Sequence, residues 1–268
     1  MSNPAKAPGQ QRHPEEATGL PPLWNKQTNV WYQWATEFCD YPGAAIGDHL
    51  GDLLRPADRV IDAGAGTGAF ALWIAPRVQG VVAVDSQAAC LAALGEAAAK
   101  AGLDNVATIA ADWLDAAVEP ADVTICAYAP GITRRRPGVL KLVAKTKRAG
   151  LILTPRLTIT ADNAVSQAAR RLGVPRPSSC ANGCREHGWL TGAGCDVDCR
   201  PIDHDLSQPV RDLDDAWAFF QYQTRAEDDL APRAKKVLAE LLQQRAGTWY
   251  IPIVRHSCLL TFRPANRA

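Results

Sequence analysis

The run VIDAGAGTG, which begins at Val60, combines one acid with three glycines at alternate positions. A buried strand that feeds such a glycine loop and then a helix brings backbone N–H groups close to a bound ligand. The glycines alone also fit the dinucleotide pattern G-x-G-x-x-G/A, so they do not decide between ligands. Asp62, two residues before Gly64, can pair with a ligand ammonium group, whereas its charge would repel a pyrophosphate. The loop is therefore predicted to bind a cationic group.

Two further acids follow the next apolar runs. Asp85 ends the run VVAVD, where it can accept hydrogen bonds from both hydroxyls of a ribose. Asp112 and Trp113 follow the third run, where a carboxylate can meet an adenine amino group and an indole can flank the ring. Each has a structural alternative, since Asp85 can be an acid at a helix N-terminus and Trp113 can belong to the core. Together with Asp62 they favour a ligand with an ammonium group, a ribose and an adenine.

The elements that position these residues alternate along the chain. Short apolar runs typical of buried strands are separated by helical patterns, which predicts a parallel sheet covered by helices on both faces. The first five predicted strands are RVIDA, VVAVD, NVATIAAD, DVTICAYA and LILTP. Two more are predicted within CDVDCRPID and the terminal segment TWYIPIVRHSCLLTFRP. We therefore predict an α/β fold, a three-layer sandwich with a seven-stranded sheet.

Helix ends are also predicted. The Ala-rich helix after Asp85 is expected to have Ser86 as its N-cap and to stop at Gly102. A long amphipathic stretch near the C-terminus is expected to be interrupted at Pro232.

The regions around this core have a predicted organisation as well. Residues 1–20 are rich in Pro, Gln and Glu and are expected to be a disordered tail. Residues 21–55 are predicted to be an N-terminal helical cap, and residues 56–268 the ligand-binding domain, with a substrate-side insertion around 173–210. In the cap, Trp31 and Trp34 share a helix face that continues through Val30, Trp34 and Phe38. This helix either docks on the core or covers an active site.

The motifs together resemble those of class I S-adenosylmethionine (SAM)-dependent methyltransferases. The family signature is an acid and alternate glycines, then a ribose-binding acid and an adenine-contacting acid. The matching residues are Asp62, Gly64, Gly66, Gly68, Asp85 and Asp112. The resemblance implies a Rossmann-like, mostly parallel sheet with an antiparallel last strand, and SAM as co-substrate. It also implies a cofactor site that includes Ala65, Ser86, Trp113 and Ala127.

The half of the chain expected to bind the methyl acceptor matches no subgroup motif. The fourth strand ends in AYAP and lacks the Asn/Asp-Pro-Pro-aromatic motif for methylation of base amino groups, which counts against a nucleic-acid base. Tyr128 at the end of this strand and Tyr32 in the aromatic helix are the candidate catalytic residues on the acceptor side. The run Arg134 to Arg136 either binds a substrate carboxylate or phosphate or forms a solvated helix entrance. His187 and Trp189 either face the substrate or are structural.

Four cysteines form two pairs with equal spacing, Cys180 with Cys184 and Cys195 with Cys199. Four thiolates can hold a structural zinc ion. Cys195 and Cys199 lie in a predicted strand, however, where residues four apart are about 13 Å from one another. We therefore predict ordinary reduced thiols and no metal site. His256 and Cys258 share one face of the last strand and are predicted to be packed.

Composition narrows the function classes. The 29 Lys and Arg against 28 Asp and Glu give a net charge of +1, which counts against a partner bound through its phosphates. Apolar stretches do not approach the ~20 residues of a membrane helix, and a signal-peptide pattern is absent. The 8 cysteines in 268 residues are too sparse for a disulfide scaffold. These observations predict a cytoplasmic enzyme with no membrane partner.

The resemblance and the composition together predict transfer of a methyl group from SAM to a small molecule. The reaction would be an in-line displacement in which the protein mainly positions the acceptor. An RNA or protein acceptor, an NAD-dependent oxidoreductase and a non-catalytic SAM-binding subunit stay open as alternatives, as does a homodimer.

Overall fold

The computed structural model of the chain describes residues 25–156, 163–175 and 184–265. The strands of its main sheet are β1 (Arg59–Ala63), β2 (Gly80–Asp85), β3 (Val106–Ala110), β4 (Ala121–Ala127), β5 (Thr146–Pro155), β6 (Asp196–Asp205) and β10 (Val254–Arg263). They lie in the order β3-β2-β1-β4-β5-β10-β6. The first five strands pair in parallel, and β10 is antiparallel to both β5 and β6. The predicted seven-stranded, mostly parallel sheet with an antiparallel last strand is confirmed.

Helices cover both faces of this sheet. The helices are α1 (Lys26–Phe38), α2 (Gly43–Leu53), α3 (Ala69–Ile74), α4 (Ala88–Lys100), α5 (Pro130–Thr133), α6 (Arg136–Lys145), α7 (Ala164–Leu172), α8 (Cys184–Gly192), α9 (Leu213–Thr224) and α10 (Ala231–Leu241). Successive strand residues point to opposite faces, so neighbours in β1 enter different cores. Val60 packs with residues of α2, α3 and α4, while Ile61 packs with residues of α5, α6 and α8. The three predicted layers are therefore present.

A further core lies around α7, α9 and α10. A small antiparallel sheet accompanies it, formed by β7 (Gln208–Val210), β8 (Gln243–Arg245) and β9 (Thr248–Ile251). Trp31 of α1 joins this core, and its indole N–H donates to Asp215 at 3.3 Å. Pro232 lies in the first turn of α10, where a missing N–H breaks no helical hydrogen bond. The amphipathic stretch is broken between Thr224 of α9 and Ala231 of α10, so the predicted interruption is confirmed, with Pro232 in the first turn of the second helix.

Two predictions about helix details are wrong. Val30 is 49% exposed, and the buried face of α1 runs through Thr28, Trp31 and Ala35 instead. Ser86 is not the N-cap of α4, because Gln87 occupies that position and its N–H is bound by the Asp85 carboxylate. The predicted stop is confirmed, since Gly102 follows α4 with a φ of +68°.

Parts of the predicted organisation lie outside the described residues, namely the tail 1–20 and residues 176–183 of the insertion. The described part of that insertion contains α8, β6 and β7. Within the three described ranges, every helix is too short or too polar to span a membrane.

Candidate functional site

The predicted site residues converge at one edge of the main sheet. Parallel strands end at the same edge, so the residues that follow β1, β2, β3 and β4 are brought side by side. The acids Asp62 and Asp85 lie at the ends of β1 and β2, and Asp112 and Tyr128 lie just after β3 and β4. We call this the carboxyl edge of the sheet.

The glycine loop between β1 and α3 is fixed by its own backbone. The N–H groups of Gly64 and Ala65 both donate to the carbonyl of Val84 in β2, at 2.8 and 3.0 Å. Gly64 has a φ of +77°, and a Cβ on it would lie 2.4 Å from the Cβ of Ala129. Gly66 also has a positive φ, +54°, but a Cβ there would meet no described atom within 4 Å. The loop is therefore closed against the protein at Gly64 and open at Gly66, as a ligand cradle requires.

Asp62 lies beneath this loop and is 2% exposed. Its carboxylate accepts the backbone N–H of Ala71 in the first turn of α3. The Oδ2 atom has no hydrogen-bond partner among the described residues. Burial raises the pKa of Asp62 to about 7, opposed by the Ala71 hydrogen bond and assisted by the charge of Asp85. A buried carboxylate with an unused oxygen can take a hydrogen-bonding cation.

Asp85 is half-buried and holds the loop in place. One carboxylate oxygen accepts the N–H of Gly66 and the other accepts the N–H of Gln87, both at 2.8 Å. Each oxygen keeps a lone pair for a further hydrogen bond. The position of Asp85 is therefore compatible with a ribose-binding acid and with an acid at a helix N-terminus, since its carboxylate stabilises the start of α4 and also faces the loop.

The residues after β3 divide between surface and core. Asp112 accepts the N–H of Leu114 at 2.8 Å and pairs with Arg135 at 3.3 Å. Trp113 is 3% exposed, and its indole N–H donates to the carbonyl of Gly138 at 3.0 Å. This burial favours the alternative interpretation of Trp113 as a core residue. Lys141, which sequence reasoning missed, donates to three carbonyls of the same loop at 2.6 to 2.9 Å and so fixes its path.

Tyr128, just after β4, contacts side chains of β6 and β10. Its φ of +51° is in the left-handed region, which costs a non-glycine residue free energy and is frequent at functional sites. Its hydroxyl lies 3.3 Å from Nε2 of His204 in β6 and makes a short hydrogen bond with Ser257 in β10. The ring of Tyr41, between α1 and α2, stacks on His204 with centroids 5.3 Å apart.

The charge state of this group follows from its burial. Burial lowers the pKa of His204 to about 4, and the nearby Arg255 charge lowers it further. Burial also raises the pKa of Tyr32, with Tyr128 and Asp62 as the next contributions. The two predicted acceptor-side residues, Tyr32 and Tyr128, are therefore neighbours of one neutral polar cluster. Sequence reasoning missed Tyr41, His204 and Ser257.

The remaining candidates lie apart from this cluster or at its rim. Arg134, Arg135 and Arg136 are exposed at the start of α6, and His187 and Trp189 are half-buried on α8. His256 is also half-buried, with its Nδ1 2.8 Å from Oδ1 of Asp203.

Only some of the four cysteines in the two predicted pairs lie among the described side chains. Cys195 is buried and Cys199 is exposed on β6, while Cys180 and the side chain of Cys184 lie outside the described residues. Among the side chains that the structure describes, no three His, Cys, Asp or Glu groups are arranged to hold a metal ion.

Comparisons with known proteins agree with this geometry. Residues 60–150 match the model of a family described as a methyltransferase domain. The search of curated proteins finds no match. Among solved structures, the chain is similar to the YcgJ protein of Bacillus subtilis, with 16% identity, a TM-score of 0.55, and coverage of 82% of this chain and 98% of that one.

A second similar structure is the magnesium protoporphyrin IX methyltransferase ChlM of Synechocystis with bound S-adenosylhomocysteine (SAH). It has 12% identity, a TM-score of 0.52, and coverage of 94% of this chain and 92% of that one. TehB of Haemophilus influenzae has 13% identity and a TM-score of 0.51, with coverage of 87% and 67%. At these identities the similarity shows a shared fold.

Proposed function

We propose that this chain, which carries a class I SAM-dependent methyltransferase domain, methylates a small molecule. The observation that carries the proposal is the buried carboxylate of Asp62, which has an unused oxygen and lies beside a glycine loop that is open at Gly66. An ammonium group is the kind of ligand that this carboxylate can take.

The other parts of SAM fit the acids along the carboxyl edge. Asp85 keeps a lone pair on each oxygen for the ribose hydroxyls, although both oxygens already accept backbone N–H groups. Asp112 lies at the exposed end of the same row, where it can accept from the adenine amino group. Gly64, Ala65, Gly66, Gly68, Ser86 and Ala127 would complete the cofactor site, with the Trp113 ring behind it as support.

The chemistry needs little from the protein beyond positioning. SAM would supply a methyl group on a sulfonium: the sulfur keeps the electron pair of the C–S bond that breaks, the acceptor lone pair forms the new bond, and an acceptor that carries a proton then releases it to solvent. The chain holds the acceptor in line and excludes water. Tyr128 and Tyr32 have pKa values raised by burial, so at neutral pH they keep their protons and can donate hydrogen bonds to the acceptor.

A small acceptor is favoured by the way the edge is covered. Tyr32 and Tyr41 belong to the N-terminal region, and both lie close enough to Tyr128 for the groups to influence one another's pKa. This proximity supports the proposal that the N-terminal region covers the acceptor side. The net charge of +1 offers no general attraction for a polyanion.

Calorimetric titration with SAM, SAH and NADH tests this proposal. We expect SAM and SAH to bind, NADH not to bind, and Asp85→Ala to weaken binding of both sulfur compounds about tenfold or more. Asp104→Ala, which changes an exposed acid before β3, is the matched control and should bind like the wild type. Binding of NADH alone would assign the loop to a dinucleotide and overturn the proposal. Tight, salt-sensitive binding of RNA by the protein would instead favour a macromolecular acceptor.

A further inference from the structure

Two buried polar atoms beside Tyr128 lack a hydrogen-bond partner in the described part of the chain. The hydroxyl of Tyr41 and Nδ1 of His204 have no hydrogen-bond partner among the described residues, although each side chain is 6% exposed. A buried polar group left without a partner costs about 1–3 kcal/mol, so proteins rarely leave two of them side by side. The rings of these two residues stack on each other, and His204 also contacts the Tyr128 hydroxyl. The unpartnered atoms therefore belong to the acceptor side of the carboxyl edge.

A positive charge lies next to them. Arg255 in β10 is directly opposite His204 in β6, and side chains in such antiparallel pairs are neighbours on one face. Ser257, two residues along β10, shares that face and bonds to Tyr128. The Arg255 charge opposes the rise in pKa that burial causes at Tyr41 and Tyr128, and it adds to the fall that burial causes at His204.

This guanidinium is exposed and has no ion-pair partner within the described ranges. The two acids that flank His204 on β6 are already engaged. Asp203 pairs with Arg156 and His256, and Asp205 pairs with Arg245 and accepts from Ser207. The charge of Arg255 is therefore not balanced by the nearest acids of the same strand.

We propose that the methyl acceptor is a small hydroxycarboxylic acid whose carboxylate pairs with Arg255 and whose uncharged polar groups bond to Tyr41 and His204. One guanidinium matches the geometry and the single charge of one carboxylate, whereas a phosphate carries up to about two charges. Tyr128 is only half-buried, so its ring can offer a flat surface to a planar acid, while the Tyr41 and His204 rings stack on each other behind it. This inference rests on the proposed function, because it assigns the second substrate of that reaction.

Matched acids and amides test the charge requirement. The probes are the three positional hydroxybenzoates and the corresponding hydroxybenzamides, measured by saturation-transfer NMR with and without SAH. We expect the best acid to bind about tenfold more tightly than its amide, since charge-assisted hydrogen bonds are about twice as strong as neutral ones. Arg255→Gln should remove this preference, and Arg255→Lys should retain part of it. Arg263→Gln, at the other end of β10, should leave it unchanged.

Three results would overturn the inference: equal binding of acids and amides, an acid preference that survives Arg255→Gln, or binding of neither probe class. The proposed function fails separately. If the wild type does not bind SAH, the cofactor assignment is wrong, while the acid preference measured without SAH still reports on Arg255.

Tyr41→Phe separates binding from structure. The substitution removes only a hydroxyl that has no partner among the described residues, so the melting temperature should not fall. The affinity for the hydroxybenzoate that binds best should fall about fivefold, the loss expected for one hydrogen bond. A lower melting temperature with unchanged affinity would show a purely structural hydroxyl and contradict the assignment of Tyr41 to the acceptor site.

Discussion

The two halves of the carboxyl edge are built in different ways. Over β1, β2 and β3, the acids accept backbone N–H groups from at most 19 positions away, as Asp112 does from Leu114 and Asp85 from Gly66. Over β5, β10 and β6, the polar contacts join residues far apart in the chain, and Tyr128 and Ser257 are 129 positions apart. The first half is organised locally, whereas the second depends on the whole sheet. The first arrangement suits the proposed cofactor, and the second suits an acceptor that is particular to this protein.

The halves also differ in what they leave unpaired. In the first half only Asp62 has an unused buried oxygen, among the side chains described there. In the second, Tyr41 and His204 each leave a polar atom without a described partner. Such atoms reduce the stability of the ligand-free protein, and a ligand that pairs with them gains that free energy on binding. Substitutions in the two halves should therefore affect stability and binding in different proportions.

The largest effect on stability should come from adding a side chain at Gly64. Gly64→Ala places a Cβ 2.4 Å from that of Ala129 and forces a left-handed φ on alanine, which should cost about 3 kcal/mol of unfolding free energy. Gly66→Ala meets no described atom, so only the backbone cost of about 1 kcal/mol remains. Urea unfolding of both variants measures the difference. Equal destabilisation would show that the loop is not closed at one glycine and open at the other.

Gly66→Ala also provides the matched binding control. Its Cβ would enter the space where the loop is open, so SAH affinity should fall further than stability does. If Gly66→Ala bound SAH like the wild type, the ligand would not lie over this part of the loop.

A smaller effect is expected from protonation of Asp62. Its pKa of about 7 in the ligand-free protein means that an ammonium ligand must bind in competition with a proton. SAH affinity should therefore increase as the pH is raised, by up to about tenfold per pH unit below pH 7, and should level off above pH 7. Calorimetry between about pH 5.5 and 7.5 measures this rise below the range where a ligand α-amino group loses its proton, about pH 8.

The stability of the ligand-free protein should change in the opposite direction. The folded-state pKa of Asp62 lies above its ordinary value of 3.8. Asp62 should therefore leave the free energy of unfolding unchanged below about pH 4 and lower it progressively as the pH rises toward 7. Asp62→Asn is the control, since it should bind SAH weakly with a flat pH profile. A pH-independent affinity in the wild type would show that Asp62 does not bind the ammonium group.

The local character of the first half also explains what the sequence could predict. A glycine loop, the acids after each strand and the strand–helix alternation are patterns of neighbouring residues, so the fold and the row of acids were predictable. Tyr41, His204 and Ser257 come together only through strand order, and none has a local motif. Lys141 was missed for the same reason, because its three carbonyl partners lie 25 to 28 residues earlier. Short elements such as β8, with three residues, carry too little periodicity to be recognised.

The smallest effect should come from Arg135, at the exposed end of the first half. Its guanidinium lies 3.3 Å from Asp112, but the two side chains are 46% and 39% exposed, so the pair should contribute less than about 1 kcal/mol to stability. An adenine amino group would compete with Arg135 for the same carboxylate oxygens. Arg135→Ala should therefore leave unfolding unchanged and bind SAH as tightly as the wild type or up to about threefold more tightly. Arg134→Ala, an exposed neighbour with no ion pair among the described residues, is the control. A clear loss of SAH affinity in Arg135→Ala alone would show that the arginine, and not Asp112, contacts the ligand, and the local half would then extend beyond its row of acids.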